Sequence, residues 1–242
     1  MSKLQHDRAK RVKHIASGIA VAGLGIAMLL TPVRTHTLEQ WREEAEQERL
    51  QIPAGTDLAA LMGNPTEIES GIESGDDAVA VASFADVHAV YEVDLEVLRD
   101  TIVDFDRYEQ FVPHVELSDG RRIGDDPLRW MQLIEIAYGV LVFQAEYALD
   151  NEFVVVQDED VRFALVFRMA ESHDGRLADS FGSWFLETVD IDGRPATYVR
   201  YYSYVAFAED MPGLRVALQM FGLQDVKAVM NAYVDEARER GA

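Results

Sequence analysis

The chain has 242 residues, of which 48% are hydrophobic, and it contains no cysteine. This length and apolar content allow one good-sized folded domain with extensions, and they exclude global disorder. The lack of cysteine excludes disulfides, thiolate nucleophiles and cysteine-ligated metal sites.

The formal net charge of −21 is unevenly distributed along the chain. Residues 1–34 carry six basic side chains against Asp7 alone, a balance of +5 that leaves −26 on the remainder. The acidic residues after position 34 would be repelled by nucleic-acid phosphates and by anionic lipid surfaces, which excludes DNA or RNA as a partner. A saline habitat or a need for solubility is the alternative explanation of such a surface.

The N-terminal part of the chain has the features of a membrane segment. Residues 14–33 contain no Asp, Glu, Lys or Arg, and they follow a basic region, 1–13. Twenty such residues are about the length that crosses a bilayer as a helix, and the preceding positive charges place the N-terminus in the cytoplasm. We expect a signal anchor with the domain outside the cytoplasm, on the periplasmic or extracellular side. Secretion after signal cleavage is the alternative, although residues 29–36 lack a small-x-small cleavage pattern.

An acidic region, 34–77, follows the membrane segment. Residues 38–50 have a thin apolar stripe, which predicts a short helix with Thr37 as its N-cap. This helix is either a stalk or an element that packs on the main domain. Pro53 ends the helix, and we interpret 51–77, which are small, acidic and glycine-containing, as a linker.

The main domain is predicted over 78–242. Residues 78–93 are rich in β-branched and aromatic side chains in rough alternation, which predicts a strand. Asp94 is a candidate N-cap for the following helix, whose apolar residues fall at helical spacing. A second short helix, 108–111, ends before Pro113.

The rest of the domain is predicted as a run of strands and one long helix. Strands are predicted over 114–123, 128–137, 140–149, 161–169, 178–189 and 196–208, with hairpin turns at Asp150-Asn151, Asp174-Gly175 and Asp192-Gly193. An amphipathic helix over 212–239 follows, with Asp210 as its cap and Pro212 in its first turn. This order predicts an α+β fold, in which the helix covers the apolar face of an antiparallel sheet.

Three short segments resemble a known superfamily. They are Asp104-Phe105-Asp106-Arg107-Tyr108-Glu109-Gln110-Phe111-Val112-Pro113, Gly182-Ser183-Trp184 and Asp210-Met211-Pro212. Their order and spacing are similar to those of the START-like helix-grip superfamily (SRPBCC), and most similar to its polyketide cyclase/dehydrase and coenzyme Q-binding branch. The resemblance covers about 78–240. It implies a curved sheet of about seven strands around the C-terminal helix, with a cavity between them that binds lipids, quinones or polyketides.

Aromatic side chains supply the candidate cavity wall. The strand 198–207 alternates two sets of side chains, and whichever set faces inward brings aromatic groups to the cavity. The candidates are Trp130, Tyr138, Phe143, Phe163, Phe167, Trp184, Tyr198, Arg200, Tyr202, Tyr204, Leu218 and Phe221. Ordinary core packing is the alternative for each of them. Arg200 is a candidate anchor for a ligand carboxylate or hydroxyl, with an outward salt bridge as the alternative.

No catalytic residue, cofactor or metal site is assigned. Glu135 and Glu146 lie in otherwise apolar strands and would act as acid or base if they faced the cavity; otherwise they face water. The six histidines lack metal-ligand spacing, and no nucleotide-binding fingerprint occurs. His88 and His114 form one pair that could approach each other.

Three functional hypotheses follow. The first is a membrane-tethered carrier or binding protein that holds a lipid, quinone or polyketide-like molecule between sheet and helix. The second is an aromatase/cyclase- or dehydrase-type enzyme acting on a bound apolar substrate. The third is a non-catalytic interaction module with a filled core, and the sequence identifies no protein partner for it. A continuous apolar cavity favours the first, paired ionisable groups in that cavity favour the second, and a solid core favours the third.

Overall fold

The computed structural model describes residues 37–74, 79–140 and 143–242, without the side chains of Val140, Phe143 and Phe221. Its helices are α1 Leu38–Glu48, α2 Leu95–Ile102, α3 Tyr108–Phe111 and α4 Leu214–Gly241. Its strands are β1 Thr66–Ser74, β2 Val81–Tyr91, β3 Val115–Arg122, β4 Arg129–Val140, β5 Phe143–Glu159, β6 Arg162–Ser172, β7 Leu177–Ile191 and β8 Arg194–Phe207. The predicted membrane segment, 14–33, lies outside the described residues. Within them, no helix is both long and apolar enough to cross a membrane.

The strands form one antiparallel sheet in the order β1-β2-β8-β7-β6-β5-β4-β3. Helix α4 packs on one face of this sheet, which we call the inner face, and also contacts α2. Helix α1 packs on the opposite face, the outer face, against β6. Because a helix covers each face of the sheet, the side chains of β8 are buried on both faces.

Residues 37–48 confirm the predicted helix and show that it packs on the sheet. Thr37 and Gln40 form a capping box, in which each side chain accepts a hydrogen bond from the backbone of the other residue. Leu38, Trp41 and Ala45 form the apolar stripe and are buried. Trp41 Nε1 also donates a hydrogen bond of 2.9 Å to the carbonyl oxygen of Gly182, so this helix is fixed to the sheet by both apolar and polar contacts.

Residues 66–74, which the sequence predicts as part of a linker, form the edge strand β1. This strand pairs with β2 along its whole length, from Thr66 opposite His88 to Ser74 opposite Val81. Its side chains are mostly polar and partly exposed, because backbone hydrogen bonds rather than apolar burial hold an edge strand. The sheet therefore has eight strands, where about seven were expected.

Two further local predictions are wrong. The chain does not turn at Asp150-Asn151: β5 continues to Glu159, and the pairing register with β6 shifts between Asp150 and Asn151. A polar pair in a strand can thus mark a bulge rather than a hairpin. Asp210 does not cap α4, which begins at Leu214 after the left-handed Gly213; it forms an ion pair with Arg215 instead.

The predicted turns at Asp174-Gly175 and Asp192-Gly193 are confirmed. Each lies between consecutive strands, and Asp192 and Gly193 both have positive φ, at 54° and 79°. This is the geometry of a two-residue type I′ hairpin. The predicted N-cap Asp94 is also confirmed, since its side chain accepts hydrogen bonds from the backbone of Glu96 and Val97.

Candidate functional site

A cavity of about 260 Å³ lies between the inner face and α4. Small-molecule pockets commonly have volumes of about 300–1,000 Å³, so this cavity is close to the lower end of that range. Small side chains account for the empty space. Ser83, Ala85 and Ser203 of the sheet and Ala217 and Gly222 of α4 all line it. Because small residues occur on both the sheet and its helical cover, the interior is not filled to the usual packing density.

The wall is mostly apolar. Its apolar contributors from the strands and α4 include Ile134, Ile136, Leu149, Phe153, Phe167, Trp184, Val205, Leu214, Leu218, Val226 and Val229. Among the described lining residues, Asp225 is the only carboxylate, and none is a lysine or arginine. A carboxylate or phosphate group inside this cavity would therefore have no cationic partner, and its burial would be costly.

A group of amides lies at the inner end of the cavity. Gln132 of β4 and Asn151 of β5 are direct cross-strand partners and both line the cavity. Gln132 Nε2 donates a hydrogen bond of 2.7 Å to Ser118 Oγ, and the Ser118 hydroxyl donates in turn to the carbonyl oxygen of Phe105. Asn151 is buried, and its Oδ1 atom accepts no hydrogen bond from the residues that the structure describes. This amide oxygen is thus a buried acceptor without a partner among the described residues.

A second polar group lies at the mouth. The Tyr138 hydroxyl donates a hydrogen bond to Asp225 Oδ2, and the His114 ring lies with its centroid 4.7 Å from that of Tyr138. His114 is exposed and has a left-handed backbone, with φ at 67°. Burial, and then the hydrogen bond to Asp225, raise the pKa of Tyr138, so its hydroxyl is neutral near pH 7.

The other tyrosines of the wall also remain neutral. Burial raises the pKa of Tyr147 and of Tyr201 to about 12. Burial likewise raises the pKa of Tyr108 and Tyr233, whose rings meet edge to face at a centroid distance of 5.1 Å. The Tyr108 hydroxyl donates a hydrogen bond to the carbonyl oxygen of Ile102. These side chains therefore supply aromatic surface and neutral hydroxyls rather than charge.

Four sequence-predicted residues lie in the cavity wall: Tyr138, Phe167, Trp184 and Leu218. Trp130 and Phe163 belong to the core of the inner face but do not line the cavity. The side chains of Phe143 and Phe221 lie outside the described part of the structure. Their role therefore remains a prediction.

The remaining four candidates, Tyr198, Arg200, Tyr202 and Tyr204, lie on the outer face and not in the cavity. The alternate set of β8, which includes Tyr201, Ser203 and Val205, faces the cavity. The sequence does not distinguish the two sets, because α1 covers the outer face and both sets are therefore apolar.

Arg200 is in an ion pair, as its alternative interpretation expected, but this pair is buried. Its Nε and Nη2 atoms donate hydrogen bonds of 2.9 Å and 2.7 Å to the Asp86 carboxylate beneath α1. Glu135 and Glu146 are exposed and do not line the cavity, so neither is placed to transfer a proton there.

The two histidines that were considered together lie on opposite faces. His88 Nδ1 is 3.0 Å from the Tyr198 hydroxyl on the outer face, whereas His114 lies at the cavity mouth. Within the described ranges, no group of three or more His, Asp or Glu side chains could hold a metal ion. Sequence analysis missed Gln132, Asn151 and Asp225, since single polar residues in strands and helices usually face water.

Comparison with known proteins gives a structural match only. No family model matches the chain, and no curated protein matches it. A STAR-related lipid transfer protein from Xanthomonas axonopodis is similar with a TM-score of 0.50 at 10% identity, over 70% of this chain and 98% of that one. The fold is START-like. This confirms the fold that the resemblance implied.

Two other solved structures are similar over comparable lengths. An aromatase/cyclase named Zhui from Streptomyces sp. R1128 has a TM-score of 0.47 at 12% identity, over 66% of this chain and 96% of that one. A norcoclaurine synthase from Thalictrum flavum has a TM-score of 0.44 at 10% identity, over 72% of this chain and 99% of that one. At such identities the likeness concerns the fold and not the activity.

Proposed function

We propose that this protein binds an apolar small molecule in the cavity between the inner face and α4 and acts as a carrier or binding protein. The observation that carries this proposal is the cavity itself, with a volume of about 260 Å³ and a mostly apolar wall. Transfer of apolar ligand surface into such a wall is favourable. The similar Xanthomonas protein is named a lipid transfer protein, which is consistent with a lipid as one ligand class.

An enzyme acting on a bound apolar substrate is the second candidate. The polar group at the mouth, His114, Tyr138 and Asp225, is the observation that favours it. A proton-transfer residue works best when its pKa is near the working pH, whereas the pKa of Tyr138 is raised. Binding therefore accounts for the site better than proton transfer does.

The proposed ligand is a lipid, quinone or polyketide-like molecule taken from a membrane. The uncharged segment 14–33 supports a tethered carrier, because a signal anchor would keep the domain near a pool of apolar ligands. Only residues 34–36 separate this segment from Thr37, the N-cap of α1. The domain would then work on the outer side of the cytoplasmic membrane.

Native mass spectrometry combined with solvent extraction tests the proposal. The full-length chain is purified from the membrane fraction in an amphipathic polymer, together with Ala217→Phe and Ala228→Phe. Ala217 lines the cavity, whereas Ala228 is exposed on the same helix and serves as the matched control. We expect about one apolar molecule per chain in the wild type and in Ala228→Phe, and its loss from a folded Ala217→Phe.

The same preparation also separates the competing hypotheses. A wild-type protein that yields no apolar molecule, and takes up none from a panel of lipids and quinones, would contradict the binding function. Release of a chemically altered product after incubation with the extracted molecule would instead support the enzyme.

A further inference from the structure

One carboxylate interrupts the apolar stripe with which α4 covers the cavity. Leu218, Gly222, Val226 and Val229 face the cavity at helical spacing, and Asp225 lies among them. Asp225 is half-buried and is the only carboxylate among the described lining residues. Because a carboxylate loses favourable hydration in a cavity wall, its position in this stripe is unfavourable unless a partner binds it.

The protein supplies Asp225 with a hydroxyl group but not with a positive charge. The Tyr138 hydroxyl donates a hydrogen bond to Oδ2, and within the described ranges no arginine, lysine or histidine forms an ion pair with this carboxylate. Asp235 and Glu236, the next two acidic residues of α4, both form ion pairs with arginines of the same helix. Asp225 therefore lacks a counter-ion in the described part of the chain.

Two aromatic rings lie on the sheet near this carboxylate. Tyr147 is opposite Ile136, two residues before Tyr138 on β4, so the two tyrosines are diagonal neighbours in the cavity wall. Burial, and then the charge of Asp225, raise the pKa of Tyr147 to about 12. Both phenols are therefore neutral near pH 7, and the faces of such rings attract cations.

The charge balance of the molecule also favours a cation at the mouth. No lysine or arginine is among the described lining residues, so the wall offers no partner to a carboxylate or phosphate. The residues after position 34 carry a net charge of −26. A field of this sign raises the concentration of cations near the protein surface. An ammonium group would thus be attracted to the mouth and would meet its opposite charge at Asp225.

The rest of the cavity suits the apolar part of such a ligand. Ile136 and Ile134 follow Tyr138 inwards along β4, with Leu149 on the neighbouring strand, and all of them line the cavity. A pocket with apolar walls and one placed polar group fixes the orientation of its ligand. The wall therefore matches a molecule with an ammonium at one end and apolar surface along the rest.

We infer that the ligand carries a protonated amine, which pairs with the Asp225 carboxylate at the mouth, while its apolar part extends inwards along β4. This inference rests on the proposed binding function and specifies its ligand class. Ordinary hydration of Asp225 is the competing explanation, and it would give an amine no advantage that depends on this residue.

Two compounds with the same apolar skeleton test the inference. At about pH 8, 4-phenylbutylamine is protonated and 4-phenylbutan-1-ol is neutral, while histidine side chains are ordinarily uncharged. Each is titrated against N-phenyl-1-naphthylamine, a neutral fluorescent probe, bound to the full-length protein in a non-ionic amphipathic polymer. Salt at about 0.15 M screens the distant surface charges. The signal of the polymer alone is subtracted, since these compounds also partition into it.

We expect the amine to displace the probe from the wild type at a lower concentration than the alcohol. Asp225→Asn keeps an acceptor for Tyr138 but removes the charge. It should raise the required concentration of amine about tenfold, which is the scale of one charge-assisted hydrogen bond, and leave that of the alcohol unchanged. Glu146→Gln is the matched control, because Glu146 precedes Tyr147 in the sequence but is exposed outside the cavity. It should leave both concentrations unchanged.

The outcomes separate the inference from the function on which it rests. An amine that displaces no better than the alcohol in the wild type, or an advantage that survives in Asp225→Asn, would overturn the role of Asp225 while leaving apolar binding intact. An equal loss in Glu146→Gln would also overturn it, by showing a general attraction to the acidic surface. If neither the probe nor the compounds bind, the proposed function fails as well. Should Asp225→Asn not fold, the comparison of amine and alcohol in the wild type still decides.

Discussion

The two faces of the sheet are both buried under helices, yet they differ in what their polar groups contact. On the outer face, Asp86 accepts hydrogen bonds from Arg200 and Arg49, and the aromatic rings pack directly against Trp41. On the inner face, small side chains leave a cavity and Asn151 has an unused acceptor. Arg49 Nε on the outer face also lacks a hydrogen-bond partner among the described residues. Burial, aromatic content and unpaired polar atoms therefore do not identify a binding site; the empty volume does.

The outer face also fixes the position of α1. Arg200 Nη1 donates hydrogen bonds of 3.0 Å to the carbonyl oxygens of Glu48 and Gln51, at and just beyond the C-terminal end of that helix. The last carbonyls of a helix have no partner within the helix, so a side chain from the sheet satisfies them here. The polar network thus holds a structural element rather than a ligand.

The largest expected effect comes from breaking this network. Arg200→Met leaves the fully buried Asp86 with the ion pair to Arg49, and we expect the free energy of unfolding to fall by about 3–5 kcal/mol. Chemical denaturation measures the change. Arg194→Met is the matched control on β8, because its ion pair with Glu92 is exposed and should be worth about 1 kcal/mol or less. A comparable loss in both variants would contradict the structural role of the network.

Gly182→Ala should have a smaller effect and should act on the inner face. A Cβ atom at this position would overlap the ring of Phe167 and the carbonyl oxygen of Tyr202. We expect a loss of about 1–3 kcal/mol in the free energy of unfolding, together with weaker probe binding, because Phe167 lines the cavity. Gly139→Ala meets no atom within 4 Å and should change stability by about 0.5 kcal/mol or less. Unchanged stability in Gly182→Ala would show that the sheet relaxes around the added methyl group.

The smallest expected effect is a pH dependence that originates on the outer face. Burial, and then the charge of Arg200, lower the pKa of His88 below its usual 6.5, although Asp86 opposes this shift. As the pH falls through 6.5, His88 of the unfolded chain therefore binds a proton that His88 of the folded protein does not bind, and the free energy of unfolding decreases.

His88→Gln removes this titration and retains a polar partner for Tyr198. Between about pH 7.5 and 5.5, we expect the wild type to lose stability more steeply than the variant, by at most about 1.4 kcal/mol per pH unit. Parallel stability profiles would show that His88 binds protons equally in both states. Probe binding in the cavity should be the same in both proteins, because His88 lies on the other face.

Much of this fold follows from the sequence. Apolar spacing predicts α4, alternation predicts most strands, and Asp192-Gly193 predicts a hairpin turn because both residues tolerate positive φ. The edge strand β1 does not follow, since its pairing with β2 is made by backbone atoms that no side-chain pattern reveals. The turn predicted at Asp150-Asn151 fails for a related reason: a bulge uses the same polar residues as a turn.

The cavity is less predictable than the fold. Tyr202 and Tyr201 are neighbours on β8 with similar burial, and only the positions of α1 on one face and α4 on the other show that Tyr201 faces the cavity. Asn151 and Asp225 resemble surface residues until α4 is placed over the sheet. The sequence can therefore predict aromatic residues for the wall, but not which of them face the empty space.

A quenching experiment with two single-tryptophan proteins tests the central comparison most directly. The first protein carries Trp41→Phe and Trp130→Phe, so that its single tryptophan is Trp184 of the cavity wall. The second carries Trp130→Phe and Trp184→Phe, so that its single tryptophan is Trp41 of the outer face. Each is titrated with a bromine-substituted long-chain alcohol, which quenches tryptophan fluorescence on contact. We expect saturable quenching of Trp184 at about one molecule per chain and none of Trp41 beyond the polymer background. Equal quenching of both tryptophans, or none of Trp184, would contradict a ligand site on the inner face.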